Sequence, residues 1–183
     1  MFSKKNLEDQ ILIIFGSNGD LSRRKLLPAI FQLYLDNLLP KNFIVIGTGS
    51  KEKDENANRA DVRSALLEFA PAGVNNAPDR LESFLNLVFY KKVQNQIEQD
   101  FKGLKDYIQK KADELGVKQN IIYYFSIPPF FDEVVAANLV RYGLNEEENG
   151  WKRIIVEKPF GYSYATAIDL DKKLHEGFHE DQI

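Results

Sequence analysis

Residues 11–21 read Ile-Leu-Ile-Ile-Phe-Gly-Ser-Asn-Gly-Asp-Leu, and they carry the strongest indication of the fold. The apolar run at 11–15 has no polar alternation, which predicts a strand buried on both faces of a parallel sheet. Gly16 permits a tight turn, because glycine enters positive φ freely. Gly19 lets the backbone approach a bound group, and the following helix directs its free N–H groups and positive dipole end at the same spot. The stretch therefore predicts an anion site, and a pyrophosphate suits it best.

The glycine spacing is Gly-x-x-Gly and not the commoner G-x-G-x-x-G. An ordinary strand-to-helix turn with two glycines is the alternative explanation. The strand before the turn and the helix after it favour binding. On these residues the chain is placed among dinucleotide-binding α/β proteins.

Composition and charge narrow the class of protein. The 183 residues are 44% hydrophobic and 28% charged, which is typical of one globular domain with a core. The net charge of −3 argues against nucleic acid or an anionic membrane as the main partner. The absence of cysteine excludes disulfides and thiolate zinc sites, and it fits a cytoplasmic location. The run at 11–15 is too short for a signal or membrane segment.

Strand and helix patterns alternate along the chain. The predicted strands are 11–15, 43–46, 87–93, 121–127 and 153–156, and the predicted helices are 24–39, 61–70, 96–115, 131–144 and 164–174. Because proline is tolerated only in a helix's first turn, Pro28 predicts a start near Arg24 and a loop over the ligand at 20–23. Residues 71–80 are predicted to be a loop. The order predicts an α/β, Rossmann-like, doubly wound and mostly parallel sheet in a single domain, residues 1–183.

Ligands of such sheets lie beyond the carboxyl ends of the strands. Residues 16–20, 47–51, 127–129 and 157–161 all follow predicted strands. We therefore expect these segments to converge on one cleft.

A second motif follows the fifth strand. It reads Glu157-Lys158-Pro159-Phe160-Gly161. With Gly16-x-x-Gly19-Asp20-Leu21 and Lys25, it resembles the glucose-6-phosphate dehydrogenase family. The resemblance is carried by residues 11–28, 121–129 and 152–161, and Glu-Asp-Gln-Ile at 180–183 supports it.

The resemblance implies a reaction. The family passes hydride from the anomeric carbon of glucose 6-phosphate to NAD(P)⁺, giving 6-phosphogluconolactone in the pentose phosphate pathway. Its general base is a histidine in a segment that normally follows Glu-Asp-Gln-Ile. We therefore expect this chain to be the N-terminal coenzyme domain of a longer, homo-oligomeric enzyme. The chain itself is expected to lack the C-terminal β+α domain and the catalytic residue, and to catalyse no turnover alone.

The resemblance and the turn together imply a set of binding residues. Lys158 is expected to contact both coenzyme and sugar, and a cis Lys158–Pro159 bond would aim it into the cleft. Glu157 is as well explained by packing or an ion pair. The residues predicted to bind NADP or NAD are Gly16, Ser17, Asn18, Gly19, Asp20, Leu21, Ser50, Lys51, Pro129 and Lys158.

Two departures from the family pattern leave questions open. Ser50 stands where the family usually has an arginine for the NADP 2′-phosphate. Lys51 offers a mobile positive charge there but not the planar guanidinium that binds a phosphate through two hydrogen bonds. The choice between NADP and NAD therefore stays open. Asp132 stands where an aromatic residue is frequent, and Phe130 and Phe131 before it are expected to be core.

Other motifs and functions are weighed against this interpretation. His175-Glu-Gly-Phe-His179 spells the zinc-protease H-E-x-x-H, but Gly177 weakens a helix there, so chance spacing explains it better and no metal is expected. Tyr107 and Lys111 match the Tyr-x-x-x-Lys of short-chain dehydrogenases, again by chance. A stand-alone NAD(P)-binding sensor domain without catalysis remains the alternative function.

Overall fold

Five parallel strands form the centre of the molecule in a computed structural model that describes residues 7–161 and 163–183. The strands are β1 Gln10–Phe15, β2 Phe43–Gly49, β3 Val88–Lys92, β4 Ile121–Phe125 and β5 Lys152–Val156. Their order in the sheet is β3-β2-β1-β4-β5, and every neighbouring pair is parallel. The predicted Rossmann-like, doubly wound sheet is confirmed. The order reverses between β1 and β4, which opens a crevice at their carboxyl ends.

Helices cover both faces of the sheet. They are α1 Leu27–Leu35, α2 Glu55–Phe69, α3 Pro71–Asn76, α4 Pro78–Leu85, α5 Glu98–Leu115, α6 Asp132–Arg141 and α7 Tyr164–His175. Ile11, Ile13 and Phe15 of β1 belong to a core cluster with α5, α6 and α7, whereas Ile14 belongs to a second cluster with α1–α4. All four side chains are fully buried, so the prediction of a strand buried on both faces is confirmed.

The first helix differs from its prediction. Helical backbone begins at Asp20, so the expected loop at 20–23 is wrong. A π-helical turn occupies Ser22–Leu26, and the Leu27 N–H donates to the Ser22 carbonyl five residues back. Because this turn shifts the hydrogen-bond register just before Pro28, a ring without an N–H fits inside a longer helix.

Residues 71–76 and 78–80 are helical, so the predicted loop is also wrong. Pro71 and Pro78 each stand at the start of a helix, where the missing N–H costs nothing. Leu81, Phe84 and Leu85 repeat at helical spacing and are buried in the second cluster. Proline here starts helices and does not mark an irregular connection.

Several strand and helix boundaries also shifted. β2 runs on to Gly49, whereas β4 stops at Phe125. α2 begins at Glu55, ahead of the predicted 61, because Asp54 caps it by accepting the Ala57 N–H at 2.7 Å. In the part of the chain that the structure describes, no helix has both the length and the apolar character needed to cross a membrane.

Candidate functional site

The turn after β1 is built around Gly16. Its φ is +79°, and a Cβ at this position would lie 2.3 Å from the Ser126 carbonyl oxygen at the end of β4. The Gly19 N–H closes the turn on the Gly16 carbonyl at 2.9 Å. Ser22 Oγ donates to the same carbonyl at 3.3 Å and lies 3.0 Å from Ser126 Oγ. Only glycine suits position 16, because both the backbone angle and the available space exclude a side chain.

Two glycines of β2 leave space for the side chains of this turn. The Ser17 N–H and Oγ both donate to the Thr48 carbonyl, at 3.0 and 3.1 Å. A Cβ at Gly47 would lie 2.5 Å from Ser17 Oγ, and one at Gly49 would lie 2.8 Å from Asn18 Nδ2. The missing side chains of β2 therefore leave the space in which Ser17 and Asn18 lie.

A cleft of about 670 Å³ opens beside the turn. It is bounded by the turn, the end of β2, the first turns of α2 and the loop at 94–97, and Val45 and Val88 contribute apolar surface. Its volume lies in the range of small-molecule sites, about 300–1,000 Å³. The polar residues that line it outside the turn are Arg23, Ser50, Lys51, Lys53, Asn58, Asp61, Gln94, Asn95 and Gln96.

The structure brings most of the predicted coenzyme residues to this cleft. The residues that line it are Gly16, Ser17, Asn18, Gly19, Ser50 and Lys51. Asp20 and Leu21 form the start of the helix and are not part of the lining. Pro129 begins the 3₁₀ turn Pro129–Phe131, of which Phe131 reaches the cleft. The segments after β1 and β2 thus meet at one cleft, as expected, whereas residues 127–129 and 157–161 do not line it.

Lys158 lies on the same edge of the sheet but outside the lining of the cleft. It follows β5 and is exposed. β4 separates β5 from β1, so the two strand ends are about 10 Å apart. The Lys158–Pro159 bond is cis, as expected. The glycine turn and Lys158 therefore lie at the same edge of the sheet.

Glu157 makes a local contact between strands. Its carboxylate accepts a hydrogen bond from the Tyr124 hydroxyl on β4. Burial, together with this carboxylate, raises the pKa of Tyr124 to about 12. The contact agrees with the packing explanation for Glu157.

Three polar lining residues between β2 and the second turn of α2 are not among the residues predicted to bind coenzyme. They are Lys53, Asn58 and Asp61. Lys53 Nζ lies 2.6 Å from Asn18 Oδ1 and forms an ion pair with Asp61. Residues 50–60 are polar and carry no periodic apolar signal. The early start of α2 at Glu55 brings Asn58 to the cleft. The helical spacing of Asn58, Asp61 and Val62 was the available clue.

The residues after Pro129 differ from the expectation. Phe130 is 65% exposed, so it is not core, whereas Phe131 packs partly against the first cluster. Asp132 begins α6 and is only 2% exposed. Burial raises the pKa of Asp132 to about 7, because the charged form loses its hydration.

The two discounted motifs lie away from the cleft. α7 ends at His175, so His175 and His179 do not share a helix face, and His175 Nε2 lies 2.7 Å from Glu180 Oε2. Among the residues described, no group of three or more potential metal ligands occurs. On α5, Lys111 pairs with Glu55 and Glu114 at 3.1 and 3.2 Å.

Comparison with known proteins agrees with this geometry. Residues 13–183 match the family model described as glucose-6-phosphate dehydrogenase, NAD binding domain. The glucose-6-phosphate 1-dehydrogenase of Aggregatibacter actinomycetemcomitans is 36% identical over 176 residues, which cover 96% of this chain and 35% of that protein. The enzyme of Treponema pallidum (strain Nichols) is 33% identical over 172 residues, covering 94% and 33%. The chain thus spans about a third of the length of these relatives.

Solved structures agree at the level of the backbone. A glucose-6-phosphate dehydrogenase in complex with its substrate glucose-6-phosphate superimposes with a TM-score of 0.84 at 29% identity, covering 99% of this chain and 37% of that one. The enzyme from Mycobacterium avium has a TM-score of 0.80 at 24% identity over 96% and 35%, which supports the fold alone. With the match at 13–183, the chain belongs to the glucose-6-phosphate dehydrogenase family, of which it contains the NAD-binding domain.

Proposed function

We propose that residues 1–183 are the N-terminal coenzyme-binding domain of a glucose-6-phosphate 1-dehydrogenase. In the complete enzyme, hydride leaves the anomeric carbon of glucose 6-phosphate and the hydroxyl proton goes to a general base, which yields 6-phosphogluconolactone for the pentose phosphate pathway. When bound, NAD(P)⁺ supplies the hydride acceptor. The observation that carries this proposal is the match of residues 13–183 to the family's NAD-binding domain, with the Gly16 turn at the mouth of the cleft.

The residues of the cleft suit a dinucleotide. Gly16 and Gly19 clear the approach to the first N–H groups of the helix that starts at Asp20, where a pyrophosphate gains hydrogen bonds. We propose that Ser50 and Lys51, which follow β2, bind the adenosine ribose, because in such folds the ribose lies at the end of the second strand. The Asn58 Nδ2, buried in the cleft lining and without a protein acceptor, supplies a further donor for a ligand.

We propose that Lys158 acts where the sugar substrate binds, at the carboxyl-end edge of the sheet. Its ammonium group, after β5, would orient the reacting hydroxyl and favour the negative charge that develops on its oxygen. Neither His175 nor His179 lines the cleft. We therefore propose that the general base comes from the two thirds of the relatives' length that this chain does not cover.

The test is a titration of the chain with NAD⁺ and with NADP⁺ by isothermal titration calorimetry. Saturable binding of at least one coenzyme is expected, without formation of reduced coenzyme on addition of glucose 6-phosphate. Failure of both coenzymes to bind would contradict the proposal. Binding without turnover in the complete gene product would instead support a sensor domain.

A further inference from the structure

In this chain, the position where the family usually has an arginine for the 2′ end of the coenzyme carries a different residue. Ser50 occupies that position, and Lys51 next to it is exposed. Lys53 is more enclosed, with 14% of its side chain exposed. Its ammonium group lies 5.6 Å from the centre of the Tyr90 ring. Of the two lysines in the cleft lining between β2 and α2, Lys53 is therefore the more firmly positioned.

Lys53 bridges the glycine turn and α2. Its Nζ lies 2.6 Å from Asn18 Oδ1 in the turn and pairs with the Asp61 carboxylate on α2. All three residues line the cleft. Because the adenosine ribose of a bound dinucleotide lies between the pyrophosphate turn and the end of the second strand, its 2′ substituent faces this group of residues.

A second observation marks the same face of α2 as ligand-facing. Asn58, Asp61 and Val62 are three and four residues apart, so they share that face, and all of them line the cleft. Asn58 is 3% exposed, and its Nδ2 has no hydrogen-bond partner in the part of the chain that the structure describes. Burying a hydrogen-bond donor without an acceptor costs folding free energy, so its presence indicates that a ligand atom accepts this hydrogen bond.

We propose that the Lys53–Asp61 pair selects between NADP⁺ and NAD⁺ at the 2′ position. The inference rests on the proposed function, because it requires the dinucleotide to occupy this cleft. Lys53 attracts a 2′-phosphate, whereas Asp61 repels it and already neutralises the ammonium group. With NAD⁺, the Asp61 carboxylate accepts a hydrogen bond from the ribose hydroxyl instead. A phosphate monoester carries about two negative charges, so it is far more sensitive to Asp61 than a hydroxyl is.

The experiment compares the unaltered chain with Asp61→Asn, titrating each with NAD⁺ and NADP⁺ by calorimetry. Asparagine keeps the shape of the side chain but frees Lys53 and removes the repulsion. The ratio of the NAD⁺ to the NADP⁺ dissociation constant is expected to rise about tenfold. Lys53→Gln is expected to lower the same ratio, which provides a second reading if Asp61→Asn does not fold.

Glu52→Gln is the matched control. Glu52 pairs with Lys92 at 3.4 Å and does not line the cleft, so its removal changes the net charge equally without changing the ratio. If both coenzymes bind and the ratio is the same in the unaltered chain, Asp61→Asn and Lys53→Gln, the inference is wrong. If neither coenzyme binds the unaltered chain, the proposed function itself fails.

Discussion

The contact between Gly47 and Ser17 offers a direct test of how β2 shapes the glycine turn. A Cβ at Gly47 would lie 2.5 Å from Ser17 Oγ and 2.7 Å from Ser17 Cβ. Ordinary carbon contacts are about 3.5–4.0 Å, so Gly47→Ala must displace the turn by about 1 Å. Overpacking of this kind costs about 1–3 kcal/mol of unfolding free energy. We expect Gly47→Ala to lose that amount and to weaken coenzyme binding, because the displaced turn carries the pyrophosphate site.

Ser17→Gly removes both of the atoms that the new methyl group would meet. It also removes the Ser17 Oγ to Thr48 hydrogen bond of 3.1 Å, a loss of about 0.5–1.5 kcal/mol. In the double variant the alanine should therefore add almost nothing to the cost of Ser17→Gly. Urea unfolding of the four proteins of this cycle should give a coupling free energy of about 1–3 kcal/mol.

Gly103→Ala is the control for the effect of glycine itself. It lies within α5, and its added Cβ would make only an ordinary contact of 3.6 Å with Lys91. We expect it to stabilise the protein by about 0.5–1 kcal/mol. If the Gly47 and Ser17 effects add within about 0.5 kcal/mol, the packing argument is refuted.

Three further predictions concern the site and its surroundings. Gly19→Val should weaken coenzyme binding at least about tenfold in calorimetry, because its Cβ, 3.1 Å from the Gly16 carbonyl oxygen, crowds both the turn and the pyrophosphate. The buried Asp132 carboxyl, with its pKa raised from 3.8 to about 7, should make the protein less stable as pH rises through that window. Asp132→Asn should remove this loss, with a gain on the order of 2–4 kcal/mol above pH 7 in urea unfolding. Lys158→Ala in the complete enzyme should lower turnover about a hundredfold. Its unfolding free energy should change by less than about 0.5 kcal/mol, because the side chain is exposed.

Each of these predictions has its own control. For Gly19→Val, unchanged coenzyme affinity would count against a pyrophosphate at the turn. For Asp132, the control is Glu133→Gln in the same helical turn, which removes an exposed carboxylate that pairs with Lys173 at 2.7 Å and should leave the loss of stability with rising pH unchanged. A stability curve for Asp132→Asn parallel to that of the unaltered chain would contradict the burial argument. Lys158→Arg should retain part of the turnover that Lys158→Ala loses, and equal losses in both would argue against a role for the charge.

Local patterns in the chain were enough to predict the sheet and the turn. The apolar run before Gly16 needs burial on both faces, and only a parallel sheet between helix layers provides it. The cleft position of Ser50 and Lys51 followed from the same reasoning, since carboxyl ends of parallel strands share an edge. These inferences depend on a few neighbouring residues, so the sequence alone carries them.

Predictions failed where proline was judged from local rules. The first-turn rule predicts that Pro28 starts a helix, but a π-helical turn accommodates it inside one. Pro71 and Pro78 predict a loop, but burial of Leu81 and Phe84 against the sheet favours helices there. At 71–80, packing against distant residues outweighs the local turn signals, whereas at Pro28 the change in hydrogen-bond register is local.

Local patterns in the residues are sufficient to predict alternating strands and helices, a glycine turn after the first strand and a crevice at the strand ends. The strand order β3-β2-β1-β4-β5 and the contacts of Lys53 with Asn18 and Asp61 arise only when the chain folds. The two groups of features differ in how far apart in the chain the interacting residues are. Backbone preferences and apolar periodicity act over a few residues, whereas Lys53 is 35 positions from Asn18 and reaches it only after β1 and β2 have paired.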